Sequence, residues 1–209
     1  MNQQRLGTWM AAGLILLAAG CASTGGAKIP VDRSSSLPGT TVALKGETHR
    51  LTGSPLQVAR PLPATDLVDA FSMETVDLSQ RKGKVLFLSI VPSIDTKVCE
   101  AQTHSLGEQG AGLPPDVERI TISRDTPFAQ KRFAEEAKLT ALTYLSDYKE
   151  GAFGRATGLL VEDSRLLARA VVLVDRAGIV RYVQVVPELT HLPDMEAAFA
   201  RAAALAGEK

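Results

Sequence analysis

Cysteine is scarce in this chain of 209 residues, which contains only Cys21 and Cys99. The sequence has no Cys-x-x-Cys pair, which argues against a dithiol oxidoreductase. The three histidines are spread over the chain without metal-ligand spacing, so we expect no metal site, no cofactor and a solvated position for each of them: His49, His104 and His191.

An excess of charge of either sign is also missing. The chain has 23 Lys and Arg residues and 23 Asp and Glu residues. Nothing in this balance attracts nucleic acid or an anionic lipid surface. The apolar fraction of 45% suits one compact domain with some additional length at one end.

The sequence has no apolar run long enough to span a bilayer, which takes about 20 residues. The uncharged stretch from Trp9 to Ala19 is shorter and follows Arg5, which is the pattern of a secretory signal peptide over residues 1–20. Its end, Leu17-Ala-Ala-Gly-Cys21, resembles the lipobox of bacterial lipoproteins, which implies a diacylglycerol on the sulfur of Cys21. The alternative is an ordinary cleavable signal that leaves Cys21 as a free thiol.

Removal of residues 1–20 would leave lipidated Cys21 at the N-terminus and Cys99 as the only free thiol, so no intrachain disulfide could form. Residues 22–41 are small and polar without an apolar period and predict a flexible tether. We therefore expect an exported lipoprotein of the cell envelope, anchored to a membrane on the periplasmic side. Ala22, rather than Asp, after Cys21 resembles the sorting pattern of lipoproteins that reach the outer membrane of a Gram-negative cell.

Strand and helix patterns alternate along residues 42–209, which predicts one α/β domain. Residues 42–51 predict a β-hairpin about a Lys-Gly turn. Residues 84–91 are a continuous apolar run, typical of a strand that is buried on both faces. Pro92 ends this strand, and residues 97–109 predict a helix with Cys99 in its first turn. The other predicted elements are a strand at 117–123, a helix from 125, a strand at 142–145, a helix at 152–158, two antiparallel strands at 168–175 and 179–186, and a helix from 193 to about 205. A mixed central sheet flanked by helices and closed by a hairpin is the thioredoxin-like arrangement.

The thiolate form of Cys99 must be stabilised if this residue is to act as a nucleophile. A thiol has an ordinary pKa near 8.5, so ionising it at neutral pH takes a local stabilisation of about 3 kcal/mol. A helix N-terminus contributes up to about 2 kcal/mol, so a cation is also needed. Lys97 is adjacent but neighbouring helix positions point in different directions. Arg169 is the better candidate, because an arginine in an apolar strand requires a partner.

Two residues of the loop before Cys99 are further candidates. Thr96 has a hydroxyl that can bond the thiolate or an incoming oxygen, and Pro92 stiffens the loop that shields the thiol. The competing structural interpretation is a buried inert cysteine, a helix-capping threonine and a surface arginine.

The spacing Pro92-Ser-Ile-Asp-Thr96-Lys-Val-Cys99 resembles the Pro-x-x-x-Thr-x-x-Cys loop of peroxiredoxins. Further segments are similar to the atypical two-cysteine thiol peroxidases: Val91-Pro-Ser-Ile-Asp-Thr, Asp125-Thr-Pro-Phe-Ala-Gln-Lys-Arg-Phe133, Leu167-Ala-Arg-Ala-Val-Val and Val186-Pro-Glu-Leu-Thr-His-Leu-Pro-Asp194. The resemblance implies a homodimer in which Cys99 forms a sulfenic acid with peroxide, assisted by Pro92, Thr96 and Arg169.

The sequence departs from that branch where the resolving cysteine is expected, since Ala134 follows the Arg-Phe pair. An internal disulfide is therefore excluded, and an external thiol or a thioredoxin-like reductant is expected to recycle Cys99. Two functions remain: a thiol peroxidase that reduces hydrogen peroxide or organic hydroperoxides, and a peroxide sensor or redox-responsive interaction protein with little turnover. Retention of Thr96 and Arg169 favours the enzyme, whereas Ala134 keeps the sensor as the alternative.

Overall fold

The computed structural model describes Met1 and residues 28–208. Cys21 and, apart from Met1, the predicted signal peptide lie outside the described residues. The described part forms twelve strands and four α-helices: β1 (Val31–Asp32), β2 (Thr41–Leu44), β3 (Glu47–Thr52), β4 (Asp66–Asp69), β5 (Thr75–Asp77), β6 (Val85–Ile90), α1 (Lys97–Glu108), β7 (Val117–Ser123), α2 (Pro127–Glu136), β8 (Thr143–Ser146), α3 (Ala152–Thr157), β9 (Leu160–Val161), β10 (Ala170–Val174), β11 (Val180–Val185), β12 (Leu192–Pro193) and α4 (Met195–Gly207). No helix within this part is long and apolar enough to cross a bilayer.

A seven-stranded sheet of mixed direction forms the centre, in the order β11-β10-β6-β7-β8-β4-β5. β6, β7 and β8 run parallel, as the βαβ pattern predicts, whereas β10 pairs antiparallel with both β6 and β11. All six residues of β6 are fully buried. The predicted thioredoxin-like fold with a mixed central sheet is therefore confirmed.

The central strands divide their side chains between two apolar cores because successive residues of a strand point to opposite faces. One core contains Leu86, Leu88 and Val172 with Phe153 of α3 and Val42 of the hairpin. The other contains Phe87 and Val171 with residues of α1, α2 and α4, namely Cys99, Leu106, Ala134 and Ala198. Cys99 thus lies between α1 and the central sheet.

The predicted N-terminal hairpin is present as β2 and β3, joined directly by Lys45 and Gly46. Both residues have positive φ, 53° and 84°, as the two-residue turn that matches strand twist requires. β3 also pairs with β9, which completes a three-stranded sheet against the central domain.

The flexible tether predicted over residues 22–41 is wrong for residues 31–41, which are part of the folded domain. Val31 pairs with Leu192 in a parallel β1–β12 ladder. The Ser36 amide donates to the Val185 carbonyl at 2.8 Å, and the Gly39 amide donates to the Gly158 carbonyl at 2.8 Å. The segment has no apolar period because backbone hydrogen bonds and polar side chains, such as Ser35, whose Oγ accepts from the Val185 amide at 3.0 Å, join it to distant parts of the chain.

Candidate active site

Cys99 is the third residue of α1 and its side chain is fully buried. The chain leaves β6 at Ile90, passes through the loop of residues 91–96, and enters the helix at Lys97. The unpaired amides of a helix N-terminus favour negative charge nearby. The position predicted for Cys99 in the first helical turn is therefore the observed one.

Arg169 lies directly before β10 and is 2% exposed. β10 pairs with β6 so that Ala170 is opposite Ile90, and this register brings Arg169 to the end of β6 where the active-site loop begins. Its Nη2 donates to Cys99 Sγ at 3.3 Å, and its Nε donates to the Leu189 carbonyl at 3.0 Å. The structure thus places the predicted cation in contact with the sulfur.

Gln102 completes the surroundings of Arg169 and was not predicted from the sequence. It is fully buried one helical turn after Cys99, and its Oε1 accepts a hydrogen bond of 2.8 Å from Arg169 Nη1. Its Nε2 donates to Ser89 Oγ of β6 at 2.8 Å. The sequence signal was available, since residues three apart on a helix share one face. Gln102 therefore connects the guanidinium to the central strand.

Thr96 and Pro92 lie in the loop before Cys99 and line a pocket together with Arg169. Thr96 occupies the N-cap position of α1 with an extended backbone, yet its side chain caps no amide. Its Oγ1 donates to the Ser93 carbonyl at 3.4 Å. The hydrogen-bond partner of the Thr96 hydroxyl is therefore a backbone carbonyl of the loop and not the Cys99 sulfur.

Asp125 and Arg132 fix the loop from outside, and neither role was predicted. Ser93 Oγ donates to Asp125 Oδ1 at 2.8 Å, and the Ile94 amide donates to Asp125 Oδ2 at 2.7 Å. Arg132 of α2 forms an ion pair of 3.2 Å with Asp95. The loop that leads to Cys99 is therefore connected both to the turn after β7 and to the middle of α2.

The pocket beside this loop has a volume of about 410 Å³. Its apolar wall comes from the hairpin, α1, the β9 region and the loop after β11, with the residues Leu44, Val98, Val161, Leu166 and Leu189. Its basic lining residues are Lys45, His49 and Arg169, and none of its lining residues in the described part of the chain is acidic. Cys99 lies behind this lining and not in it. The volume falls in the usual range of small-molecule sites, about 300–1,000 Å³.

Glu188 holds the hairpin turn against the loop that supplies the Leu189 carbonyl. Its carboxylate accepts from the amides of Lys45 and Gly46 at 3.0 and 3.1 Å, and from the amide and hydroxyl of Thr190. Partial burial raises the pKa of Glu188, but these hydrogen bonds outweigh burial and lower it to about 2. The hairpin side of the pocket is therefore fixed by a carboxylate that is ionised at neutral pH.

The histidines differ in exposure more than predicted. The side chains of His104 and His191 are about a third exposed, and both lie beside carboxylates. His49 is only 18% exposed and lines the pocket, so its predicted solvated position is wrong. Within residues 28–208, no group of three or more His, Cys, Asp and Glu side chains could hold a metal ion.

Comparisons with known proteins agree with this geometry. The family model described as Redoxin matches residues 57–199. The thiol peroxidase of Halalkalibacterium halodurans is 42% identical over 164 residues, covering 78% of this chain and 98% of that protein. The thiol peroxidase of Streptococcus pneumoniae strain R6 is 41% identical over 169 residues, covering 78% of this chain and 99% of that protein.

Solved structures are similar over the same region. The peroxiredoxin-like protein from Aquifex aeolicus superposes with a TM-score of 0.75 at 33% identity, covering 82% of this chain and 99% of that one. Thiol peroxidase from Chromobacterium violaceum gives a TM-score of 0.67 at 20% identity, covering 81% and 98%, which is a likeness of fold.

Proposed function

The chain belongs to the Redoxin family and is a thiol peroxidase of the peroxiredoxin superfamily, and from this premise we propose that Cys99 is the residue that attacks the peroxide. The observation that carries the proposal is the contact of 3.3 Å between Arg169 Nη2 and Cys99 Sγ, made in the first turn of α1. A buried cation and a helix N-terminus both favour the thiolate, which is the nucleophilic form.

In the proposed reaction, the Cys99 thiolate attacks the terminal oxygen of a hydroperoxide. The S–O bond forms as the O–O bond breaks, and the sulfur loses two electrons and becomes a sulfenic acid. The leaving oxygen takes a proton from solvent and departs as water from hydrogen peroxide, or as an alcohol from an organic hydroperoxide. The Arg169 guanidinium stabilises the negative charge as it moves from sulfur to the leaving oxygen.

Thr96 and Pro92 complete the proposed peroxide-binding group. Both line the pocket beside Arg169. The bond of 3.4 Å from Thr96 Oγ1 to the Ser93 carbonyl is long for a hydroxyl donor. Exchanging it for a hydrogen bond to a peroxide oxygen therefore costs little, whereas Pro92 restricts the backbone of the loop.

We propose that an external thiol completes the cycle, because the family's resolving position holds Ala134. The thiol attacks the sulfenic sulfur to form a mixed disulfide and release water. A second thiol then attacks the sulfur of the first, which forms a disulfide between the two donors and releases reduced Cys99. A thioredoxin-like protein or a small thiol could supply both equivalents. Where no thiol arrives, a second peroxide oxidises the sulfenic acid to sulfinic acid.

Peroxide consumption by the purified protein and by the Cys99→Ser variant tests the assignment of Cys99. We expect the native protein to consume one equivalent rapidly without thiol and to turn over repeatedly with added dithiothreitol. Equal rates in the two proteins would refute the assignment. A single rapid turnover with no steady state in any thiol would instead support the peroxide sensor.

Export and anchoring form a separate part of the proposal, which rests on the lipobox-like end of the signal segment at Cys21. With residues 31–41 folded onto the domain, about nine residues separate Cys21 from Val31, which average about 16 Å if flexible. The domain would therefore remain close to its membrane, which we propose to be the outer membrane. The native protein should partition into detergent and the Cys21→Ala variant should not. Recovery of the native protein in the soluble periplasmic fraction would contradict anchoring.

We also propose the homodimer that the family resemblance implies. Light scattering on the purified protein tests it, and a mass of one chain at micromolar concentration would contradict it.

A further inference from the structure

The peptide unit that joins Leu189 to Thr190 is hydrogen-bonded on both of its sides. Its carbonyl oxygen, on Leu189, accepts from Arg169 Nε at 3.0 Å. Its amide, on Thr190, donates to Glu188 Oε1 at 3.0 Å. A trans peptide unit is a rigid plane in which the C=O and the N–H point in opposite directions. The direction of the carbonyl that binds Arg169 therefore depends on the position of the Glu188 carboxylate.

The hairpin determines where that carboxylate lies. The amides of Lys45 and Gly46, which form the turn between β2 and β3, donate to Glu188 at 3.0 and 3.1 Å. The Leu189 amide donates to the Ala43 carbonyl of β2 at 2.8 Å, so the backbone that follows Glu188 is joined to the same hairpin. The carboxylate is therefore fixed on the side of the peptide that faces away from Arg169.

The negative charge of Glu188 also strengthens the contact with Arg169. Partial burial raises the pKa of Glu188, but its hydrogen bonds lower it to about 2, so the carboxylate is ionised at neutral pH. Hydrogen bonds that follow one another in a chain polarise each other. A carboxylate that accepts from the N–H of a peptide makes the carbonyl of that peptide a stronger acceptor. The Leu189 carbonyl is therefore well suited to bind a buried guanidinium.

The guanidinium of Arg169 transmits this orientation to the sulfur because it is a rigid plane. Nε donates to the Leu189 carbonyl, Nη1 donates to Gln102 Oε1, and Nη2 donates to Cys99 Sγ. Arg169 is only 2% exposed, so water does not readily replace a lost partner. A rotation of the Leu189 carbonyl would thus displace Nη2 from its position 3.3 Å from Cys99 Sγ.

We propose that Glu188 is a positioning residue for the peroxidase reaction, which orients the Leu189–Thr190 peptide so that Arg169 Nη2 stays against Cys99 Sγ. Glu188 does not line the pocket and acts through this peptide. The turn of the hairpin thereby contributes to the reactivity of a thiol on α1. The proposal rests on the function proposed for Cys99 and deepens it by adding the residue that sets the position of the cation.

Single-turnover oxidation by hydrogen peroxide tests this role in two variants. Glu188→Ala removes the acceptor of the Thr190 amide. Complete loss of a preorganised donor slows reactions about 10²–10³-fold, so a displaced donor should slow the oxidation of Cys99 by about tenfold. Glu188→Gln keeps one side-chain oxygen, which should replace Oε1 because three of the four donors meet at that atom. It should therefore react clearly faster than Glu188→Ala. A native rate in Glu188→Ala would overturn the proposal.

Asp175→Asn is the matched control for the loss of a carboxylate that binds backbone amides. Asp175 is also partly buried, and it accepts from the amides of Ala177 and Ile179 at 2.9 Å each. It directly follows β10, whereas Arg169 directly precedes that strand, so the two lie at opposite ends. Asp175→Asn should keep the native rate of oxidation. A loss equal to that of Glu188→Ala would show that the rate follows stability alone, and would overturn the proposal.

The Arg169→Met background shows whether Glu188 acts through the guanidinium. This variant has no Nε donor for the Leu189 carbonyl, so the orientation of that carbonyl no longer matters to the sulfur. Adding Glu188→Ala to it should therefore cause no further loss of rate, because two residues that act through one contact are not additive. An undiminished loss in this background would contradict a positioning role.

A spectroscopic measurement separates this proposal from that of Cys99. In isotope-labelled Cys99→Ser protein, which requires no turnover, the Nε–H signal of Arg169 should be protected from solvent exchange by burial and by the Leu189 carbonyl. Adding Glu188→Ala should make it exchange at least about tenfold faster. Unchanged protection would refute the role of Glu188 alone. Equal peroxide consumption by the native and Cys99→Ser proteins would refute the function proposed for Cys99, and faster exchange would still support the contact through Glu188.

Discussion

Replacement of Gln102 by leucine tests whether the direction of the Arg169 guanidinium matters to the reaction. Leucine has a similar volume and no polar atoms, so the variant removes the acceptor of Arg169 Nη1 and the donor to Ser89 Oγ. The bond from Arg169 Nε to the Leu189 carbonyl remains. The guanidinium can then turn about that bond, which moves Nη2 from its position 3.3 Å from Cys99 Sγ.

The expected magnitudes follow from burial. Gln102, Ser89 and Arg169 are all at most 2% exposed, so neither orphaned group gains water in compensation. A buried polar group without its partner costs about 1–3 kcal/mol, and a charged donor lies at the upper end. We expect the free energy of unfolding to fall by about 2–4 kcal/mol. Loss of a preorganised donor slows reactions about 10²–10³-fold, so a displaced donor should slow the oxidation of Cys99 by at least about tenfold.

Stopped-flow measurement of a single turnover with hydrogen peroxide, together with urea unfolding, is the assay. Ser89→Ala is the control, because it breaks the same chain of hydrogen bonds on the side away from Arg169. It should lose about 1 kcal/mol of stability and keep the native rate of oxidation. A native rate in Gln102→Leu would show that the position of the guanidinium does not depend on Gln102, and would refute this reasoning.

Three further predictions concern the site and its supports. Arg169→Lys keeps a positive charge but not the three diverging hydrogen bonds of the guanidinium, and single-turnover kinetics should show a loss of about 10²-fold. Ala134→Cys restores the family's resolving position, and after one equivalent of peroxide the new thiol should attack the Cys99 sulfenic acid, release water and form an internal disulfide that mass spectrometry detects; a Cys99 sulfenic or sulfinic acid with no disulfide would contradict this. Glu188 has a folded-state pKa lowered to about 2, so its contribution to stability is complete above about pH 4.5 and is lost as the pH falls toward 2. Glu188→Gln should therefore be less stable than the native protein at pH 7 and lose less stability on acidification, measured by thermal unfolding, and parallel curves would contradict this.

Local patterns predicted the elements around Cys99 because the energies that form them are local. The apolar run of β6, the proline after it and the polar first turn of α1 mark strand, loop and helix within about 15 residues. The partner of Arg169 was also accessible, since an arginine surrounded by Ala, Val and Leu must find an anion or strong acceptors. Burying the charge of Arg169 without a partner is unfavourable, so the residue type itself indicates that a specific contact exists.

The parts of the fold and of the site that the sequence analysis did not predict depend on contacts between segments that are distant in the sequence. The hydrogen bond between Ile94 and Asp125 joins residues 31 positions apart, and that between His49 and Asp163 joins residues 114 positions apart. A polar residue in a strand or turn has no pattern that reveals its partner at such separation. The segment over residues 31–41 was misjudged for the same reason, since its backbone hydrogen bonds leave no mark on its composition.

The burial of Cys99 and the missing resolving cysteine together determine how readily Cys99 is overoxidised. A peroxide needs only a small displacement of the residues between the pocket and Cys99 Sγ, whereas a thiol must bring its sulfur, with the molecule attached to it, to about 2 Å from that atom to form a mixed disulfide. Cys99 has no exposed surface in the folded state, so the first turn of α1 must open before an external thiol can react. The contacts of Asp125 with Ser93 and Ile94 and the ion pair of Arg132 oppose that opening. In the proposed cycle, the contacts that fix the Cys99 thiol for its reaction with peroxide therefore also slow the reduction of its sulfenic acid by an external thiol. The preorganised site thus makes Cys99 less resistant to overoxidation.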